Sequence, residues 1–314
     1  MKTFEIPDYP TITLSNYINK LSNKIWVSLE SDLIAEVIQH NIKDISLDIG
    51  ILESSLKRYT RKKKYPLFLI RKLDKFNRNL YSIIEDNNPL FFSRRPINLP
   101  NMITPKLAYF LGYLQGDGSI ESNRKRINFT DGSLEQLERI NFISYQLFKV
   151  KGKIREINTS ISKKIAYTLE IGSLVLNSYL SDVFGINRGI KTNLKVPPIL
   201  IANKDVLRWY LKGLFDADGT LPKNPKKAKQ LFIDITLKDK EFILQIKGML
   251  ELFGINTLNP YCRIAKSPNS EFISKTWELR IRKKEDMVKF LKEVGFFHSD
   301  KLERAESLLA FLHQ

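Results

Sequence analysis

One fourteen-residue pattern occurs twice in this chain, and no other feature limits its possible folds as much. Residues 107–120 read LAYFLGYLQGDGSI and residues 208–221 read RWYLKGLFDADGTL. Aligned on the closing Asp-Gly, Gly112 matches Gly213, Leu114 matches Phe215, and Asp117-Gly118 matches Asp218-Gly219, at an offset of 101 residues. The correspondence continues downstream. RINFTDGSLEQLERI (126–140) parallels LFIDITLKDKEFILQI (231–246), a strand followed by an amphipathic helix. A Gly-Lys-Ile strand near 151–157 parallels one at 257–265, and IAYTLEIGS (165–173) parallels TWELRIRKK (276–284). Each copy closes with a further helix and a glycine-led segment carrying a lysine, GINRGIKT (185–192) and GFFHSDKLERA (295–305). The repeat predicts an α+β duplication: two αββαββα units, 101–200 and 201–314, related by a pseudo-two-fold axis.

The opening helix of each unit carries small residues at i and i+4, Gly112 with Gly116 and Gly213 with Ala217. A glycine costs up to ~1 kcal/mol against alanine inside a helix. Its presence in both copies calls for a compensating contact, which close backbone packing of one helix on the other supplies. Asp117 and Asp218 fall in the last turns, with Gly118 and Gly219 as expected helix stops. A carboxylate there faces the negative end of the helix dipole. Two-fold symmetry brings the two together, and converging anions need a cation. A hard divalent ion with oxygen ligands, such as Mg²⁺, suits them. On a basic protein, such a site points to phosphodiester hydrolysis.

Charge supports a polyanionic partner. Lys+Arg 51 against Asp+Glu 34 leaves +17, which favours nucleic acid first and an anionic membrane second. The single Cys262 excludes an internal disulfide framework, and three scattered histidines make a His-built metal centre a poor reading. No apolar run reaches the ~18 residues a bilayer span requires. MKTFEIPDYP has no signal-peptide pattern, so the expected location is cytoplasmic, or an organellar matrix, and not secreted.

Residues 1–100 lie outside the repeats and carry +5 of the charge. Three prolines, Pro89, Pro96 and Pro100, predict an irregular boundary over 87–100. The stretch 31–38 reads as a capped helix and 51–59 as a second, running into Arg61-Lys62-Lys63-Lys64 and an apolar stretch at 67–73. This predicts a mostly helical N-terminal domain with a helix-turn-helix arrangement.

LKGLFDADG (211–219) and FLGYLQGDG (110–118) closely resemble the signature of the LAGLIDADG homing endonucleases in their monomeric two-motif form. The resemblance covers about residues 103–313. It implies two sheets forming a saddle in the DNA major groove, and double-strand cleavage at a long specific site leaving short 3′ overhangs. It also implies metal binding by Asp117 and Asp218, with Gly116 and Ala217 beside them, where Mn²⁺ or Ca²⁺ could replace Mg²⁺ for binding. Lys191 and Lys301 match the family's basic residue near the cleavage site, and Asn128 and Asp234 the polar position that holds its water network. Gln115 departs from the pattern, standing where the second copy has Asp216, so the two halves are unequal. A chain beginning at Met1 and ending Leu312-His313-Gln314 is expected to be a free-standing or intron-encoded endonuclease rather than a self-splicing intein.

Strand residues alternate faces, so each sheet can offer DNA a polar row. Candidates are Arg124, Lys125, Arg126, Lys153, Arg155, Lys163, Lys164, Lys226, Lys227, Lys229, Arg263, Lys266, Arg280 and Arg282, with 223–227 as a mobile basic turn along the backbone. Two alternatives to the nuclease stand: an RNA maturase that assists intron splicing, and a non-cleaving DNA-binding regulator. Neither needs two facing carboxylates.

Overall fold

The computed structural model describes residues 9–123, 126–158, 165–266 and 273–314. Within 9–100 lie helices α1 (Leu14–Tyr17), α2 (Leu33–His40), α3 (Ile42–Ile49), α4 (Glu53–Lys62), α5 (Leu67–Leu73) and α6 (Leu80–Asp86). The same segment holds a sheet that the sequence reading lacked. Strands β1 (Trp26–Ser28), β2 (Lys64–Pro66), β3 (Leu90–Phe92) and β4 (Pro96–Ile97) run antiparallel in the order β2-β1-β3-β4. The proline-rich boundary thus contributes two strands. Pro96 fits because it opens an edge strand, where its missing N–H leaves no ladder gap. Lys63 is left-handed (φ 48°) and turns α4 into β2, so a strand stands between α4 and α5.

The first repeat runs α7 (Pro105–Gly116), β5 (Gly118–Ile120), β6 (Arg126–Asp131), α8 (Leu134–Phe148), β7 (Lys153–Asn158), β8 (Ile165–Gly172) and α9 (Leu174–Ser178). The second repeats that order as α10 (Lys204–Asp218), β9 (Gly219–Thr220), β10 (Ile233–Leu237), α11 (Lys240–Leu252), β11 (Tyr261–Lys266), β12 (Ile273–Ile281) and α12 (Lys284–Glu293), then adds α13 (Ser299–Leu312). The expected αββαββα duplication is therefore present. Its sheets have matching antiparallel orders, β5-β6-β8-β7 and β9-β10-β12-β11. Alternation sets their faces: Ile127, Phe129, Leu169 and Ile171 enter the core of the first, and Ile233, Ile235, Leu279 and Ile281 that of the second. Side-chain caps start the helices. Thr104 Oγ1 accepts from Leu107 N before Pro105, and Asn203 Oδ1 accepts from Asp205 N and Val206 N.

The N-terminal region packs on the first repeat through Tyr179. Its ring meets Tyr17 edge-on at 5.7 Å, and its hydroxyl donates to the Pro100 carbonyl at 2.6 Å. Among the described residues, no helix is long and apolar enough to cross a membrane.

Candidate active site

Helices α7 and α10 meet where glycine has removed the side chains. A Cβ on Gly112 would overlap the Tyr210 carbonyl oxygen, and one on Gly213 would overlap that of Tyr109. The two clashes mirror each other, as a pseudo-two-fold axis demands. One turn on, a Cβ on Gly116 would strike the Ala217 methyl and lie 2.9 Å from Asp218 Oδ2. Both pairs of small residues therefore mark the interface, and the Asp218 carboxylate sits against the end of the opposite helix.

Buried polar bonds lock the same seam. Tyr109 Oη donates to Asp216 Oδ2 at 2.7 Å, and Tyr210 Oη donates to Gln115 Oε1 at 2.6 Å. Gln115 and Asp216 are 2% and 1% exposed. Their difference alters charge, not architecture: each accepts from the opposite helix's tyrosine. Each also ties down the segment behind its own helix, Gln115 Nε2 donating to Lys195 O at 3.0 Å and Asp216 accepting from Phe297 N and His298 N at 3.0 Å.

The glycines after the two aspartates have another purpose than the left-handed stop expected of them. Gly219 is extended (φ −73°, ψ 147°), and neither it nor Gly118 has a positive φ. A Cβ on Gly118 would lie 2.7 Å from Leu114 O, and one on Gly219 2.5 Å from Phe215 O. The chain passes from helix straight into the first strand of each sheet, folding back on the helix's last turn. Asp117 and Asp218 thus occupy the junctions between the helix pair and the two sheets.

Both carboxylates are half-buried and held above the ordinary range. Burial and the neighbouring charges of Asp218 and Asp131 push Asp117 up to about 7, against the opposing pull of Lys301 and Lys191. Burial likewise raises Asp218, again opposed by the two lysines. Each lysine caps a motif helix. Lys191 Nζ donates to Gln115 O at 2.8 Å and to Gly116 O; Lys301 Nζ donates to Phe215 O at 3.1 Å, Asp216 O at 2.5 Å and Ala217 O at 3.0 Å. A cation on the last carbonyls complements the dipole that the aspartates oppose. Burial pulls both ammonium groups below their usual range, and the surrounding carboxylates oppose it.

The structure brings Asp117, Asp218, Lys191 and Lys301 together, with Gly116 and Ala217 supplying carbonyls at the same point. Asn128 and Asp234 stand one strand away, paired in register with Ser119 and Thr220. Asp234 is engaged there: it accepts from Thr220 Oγ1, and burial and its coupling to Glu278 push it up to about 6.

Sequence reasoning missed Asp131 and His298. Asp131 accepts from Tyr113 Oη and, at 2.8 Å, from Ser133 N, while His298 Nε2 lies 3.6 Å from its Oδ2. Burial alone would raise Asp131, but its bonds from His298, Tyr113 and Ser133 hold it below the usual range. His298 precedes Lys301 by three residues, so this pair clasps the second repeat's lysine segment to the first repeat. The device occurs once, because Leu237 and Arg188 occupy the related positions. Nothing in the local pattern marks a pair 167 residues apart.

The donor set suits a hard divalent cation. Among the described residues no cluster of three or more His, Cys, Asp or Glu side chains could hold a metal. Two carboxylates with carbonyl, water and phosphate oxygens is nevertheless the kind of shell Mg²⁺ accepts.

The raised Asp117 makes stability depend on pH. Its native pKa exceeds its unfolded value, so it contributes stability below about pH 4 that is lost as pH rises to about 7. Without metal, Asp117→Asn should melt above the parent at pH 8, with the gap closing toward pH 4. Added Mg²⁺ should raise the parent's melting temperature and narrow the gap. A variant melting below the parent at pH 8 would contradict the strained pair.

The outward rows of the two sheets are basic at their edges. Arg126, Lys153, Arg155, Arg263 and Arg282 are exposed. Arg126 Nη1 pairs with Glu170 at 2.9 Å. Glu278, 1% exposed, engages Arg263 at 3.2 Å and also Arg280, whose guanidinium lies 4.3 Å from the Phe232 centroid, so Arg280 is half-buried. Lys226 and Lys227 belong to a 3-10 turn whose Lys226 N donates to Asn224 Oδ1 and whose Pro225 is buried, so the expected mobile turn is ordered. Lys229 is exposed beyond it. Arg124, Lys125, Lys163 and Lys164 lie outside the described residues, as does the side chain of Lys266, whose backbone pairs with Ile273.

Fold and site together define a duplicated α+β protein built around a helix pair whose closing carboxylates converge at one end. The chain belongs to the LAGLIDADG-like family, whose domain model matches residues 104–195 and again 205–295. It is 32% identical over 215 residues to glutamine–fructose-6-phosphate aminotransferase of Methanocaldococcus jannaschii, covering 68% of this chain and 18% of that protein. It is 28% identical over 206 residues to the replication factor C small subunit of Thermococcus kodakarensis, covering 65% of this chain and 21% of that protein. The chain thus spans about a fifth of the length of either relative. Among solved structures it is similar to the homing endonuclease I-DmoI in complex with DNA and Mn (20% identity, TM-score 0.40, 62% of this chain and 97% of that one). It is also similar to full-length DUF199/WhiA from Thermatoga maritima (17% identity, TM-score 0.43, 66% and 60%).

Proposed function

We propose that this protein is a site-specific double-strand DNA endonuclease acting as a monomer. The observation that carries the reading is the convergence of Asp117 and Asp218 at the ends of two packed helices, each with its own capping lysine. A regulator or maturase has no need of that strain.

Asp117 and Asp218, with the carbonyls of Gly116 and Ala217, would hold Mg²⁺. When bound, the ion supplies Lewis-acid polarisation of the scissile phosphate and lowers the pKa of a bound water. Lys191 and Lys301 keep positive charge fixed where the cut phosphate gains negative charge, and Lys191, with two of its three N–H groups engaged, has one left to orient water. One aspartate and one lysine per repeat would assign one strand to each half; the short 3′ overhangs are what the resemblance to the family implies. The two sheets place their basic rows on the flanking major groove, where Arg126, Lys153, Arg155 and Arg282 neutralise phosphates and set register. Asn128 and Asp234 line the outward rows next to the cleavage centre.

The direct test is cleavage of a DNA library carrying candidate insertion loci, with Mg²⁺ or with EDTA. Mg²⁺-dependent double-strand cuts at one site are expected. Tight binding without cutting, across libraries and metals, would shift the reading to a regulator or maturase. Affinity should also fall with salt: a footprint neutralising about six phosphates gives a log–log slope near −5. A slope near zero in a titration from 50 to about 200 mM KCl would rule out the two-sheet grip.

A further inference from the structure

The N-terminal sheet has two faces of different character. Its inner row, Val27, Tyr65, Phe91 and Ile97, is at most 1% exposed and belongs to the core. Its outer row is also apolar, although it faces away from the core. In register across the four strands it reads Pro66, Trp26, Phe92, Pro96, of which Pro66 is buried, Trp26 and Phe92 half-buried and Pro96 exposed. Trp26 and Phe92 are half-buried and are absent from the apolar side chains packed against the core. Their neighbours are one ring that itself packs against the core and one cation. Tyr59 of α4 meets Trp26 edge-on at 5.6 Å, and Lys64 Nζ lies 5.2 Å above the Phe92 centroid.

Cations frame this row at both ends. Arg61, Lys62 and Lys64 are exposed where α4 turns into β2, and Arg94 and Arg95 where β3 turns into β4. Among the described residues none of these five forms an ion pair, whereas nearby Lys57 and Lys63 pair with Glu53 and Asp32. Unneutralised cations flanking half-buried rings match a polymer that offers phosphates and flat apolar faces together. Duplex DNA offers only the phosphates, because its base faces are stacked inside. An unpaired strand offers both.

We infer that the outer face of this sheet binds single-stranded nucleic acid, bases stacking on Trp26 and Phe92 while the basic ends hold the backbone. The site is separate from the cleavage reading, since neither Asp117 nor Asp218 takes part. It would let the protein hold an RNA, or a DNA strand freed from its complement, while the repeats hold duplex.

The test uses the full chain in EDTA, with fluorescent dT20 and rU20 probes and excess unlabelled duplex to occupy the two-repeat surface. Both probes should bind, and the tighter one identifies RNA or DNA as the natural source. Trp26→Ala and Phe92→Ala should each weaken the single-strand complex about tenfold or more, leaving duplex affinity unchanged. Trp26→Tyr and Phe92→Tyr, which keep a ring, should retain binding. Trp26→Leu and Phe92→Leu preserve apolar bulk and serve if the alanine variants unfold; both should lose binding. Leucine variants that bind like the parent, absent binding to either probe, or equal loss of duplex and single strand would each overturn the inference.

Discussion

Asp117→Asn and Asp218→Asn are each expected to slow cleavage roughly a thousandfold, a loss of about 4 kcal/mol in transition-state stabilisation. DNA affinity in EDTA should stay within a few-fold of the parent. The substitution is nearly isosteric, and the carboxylates face each other rather than the basic rows. It also removes the Asp117–Asp218 repulsion, which adds to burial in holding Asp117 near 7, so loss of activity cannot be blamed on unfolding. The predicted combination is unusual: an inactive protein more stable than its parent at neutral pH. A plasmid assay resolving supercoiled, nicked and linear forms reads both strands at once. Retention of more than about a tenth of the parent rate in either variant would refute the paired-carboxylate centre.

The second large effect lies at the helix seam. Gly112→Val and Gly213→Val each drive a side chain into a backbone carbonyl of the opposite helix. Backbone cannot step aside as a rotamer can, so the cost should reach the upper end of overpacking, about 3 kcal/mol or more. Melting should fall by several degrees, and cleavage should fall with it because the same helices carry the aspartates. Gly248→Ala is the control. Gly248 is exposed within α11 with nothing within 4 Å of an added Cβ. Alanine there should stabilise by up to ~1 kcal/mol. If the seam variants melt with the parent, the helices do not meet as described.

Much of this was readable in the residues because duplication writes the same constraint twice. The glycines opposite Tyr109 and Tyr210 and the closing aspartates each recur at one offset, so their pairing in space could be inferred without coordinates. The N-terminal sheet could not. Its strands are two or three residues long, too short for alternation to show, and two of them open or close on proline. The Asp131–His298 clasp and the Glu278 bonds to Arg263 and Arg280 were hidden for a different reason. The clasp joins positions 167 residues apart that the repeat does not duplicate, so neither partner marks the other; Glu278 and Arg280 are two residues apart on one strand, where alternation marks a shared face but not an ion pair. The same gap explains why Arg280 read as a free cation on the DNA face while the fold ties it to a buried carboxylate.

Each sheet takes all its strands from one repeat, and the two repeats meet through helices rather than through a shared ladder. A substitution in an outward row therefore stays within its own half and leaves the glycine seam and the paired aspartates undisturbed. On the proposed function, such a molecule could change its outward rows one half at a time while keeping its fold and its paired aspartates. The halves have already diverged in their outward rows, Arg126 and Glu170 in one against Asp234, Glu278 and Arg280 in the other. At the seam the two halves share the Gly112 and Gly213 contacts and differ at Gln115 and Asp216.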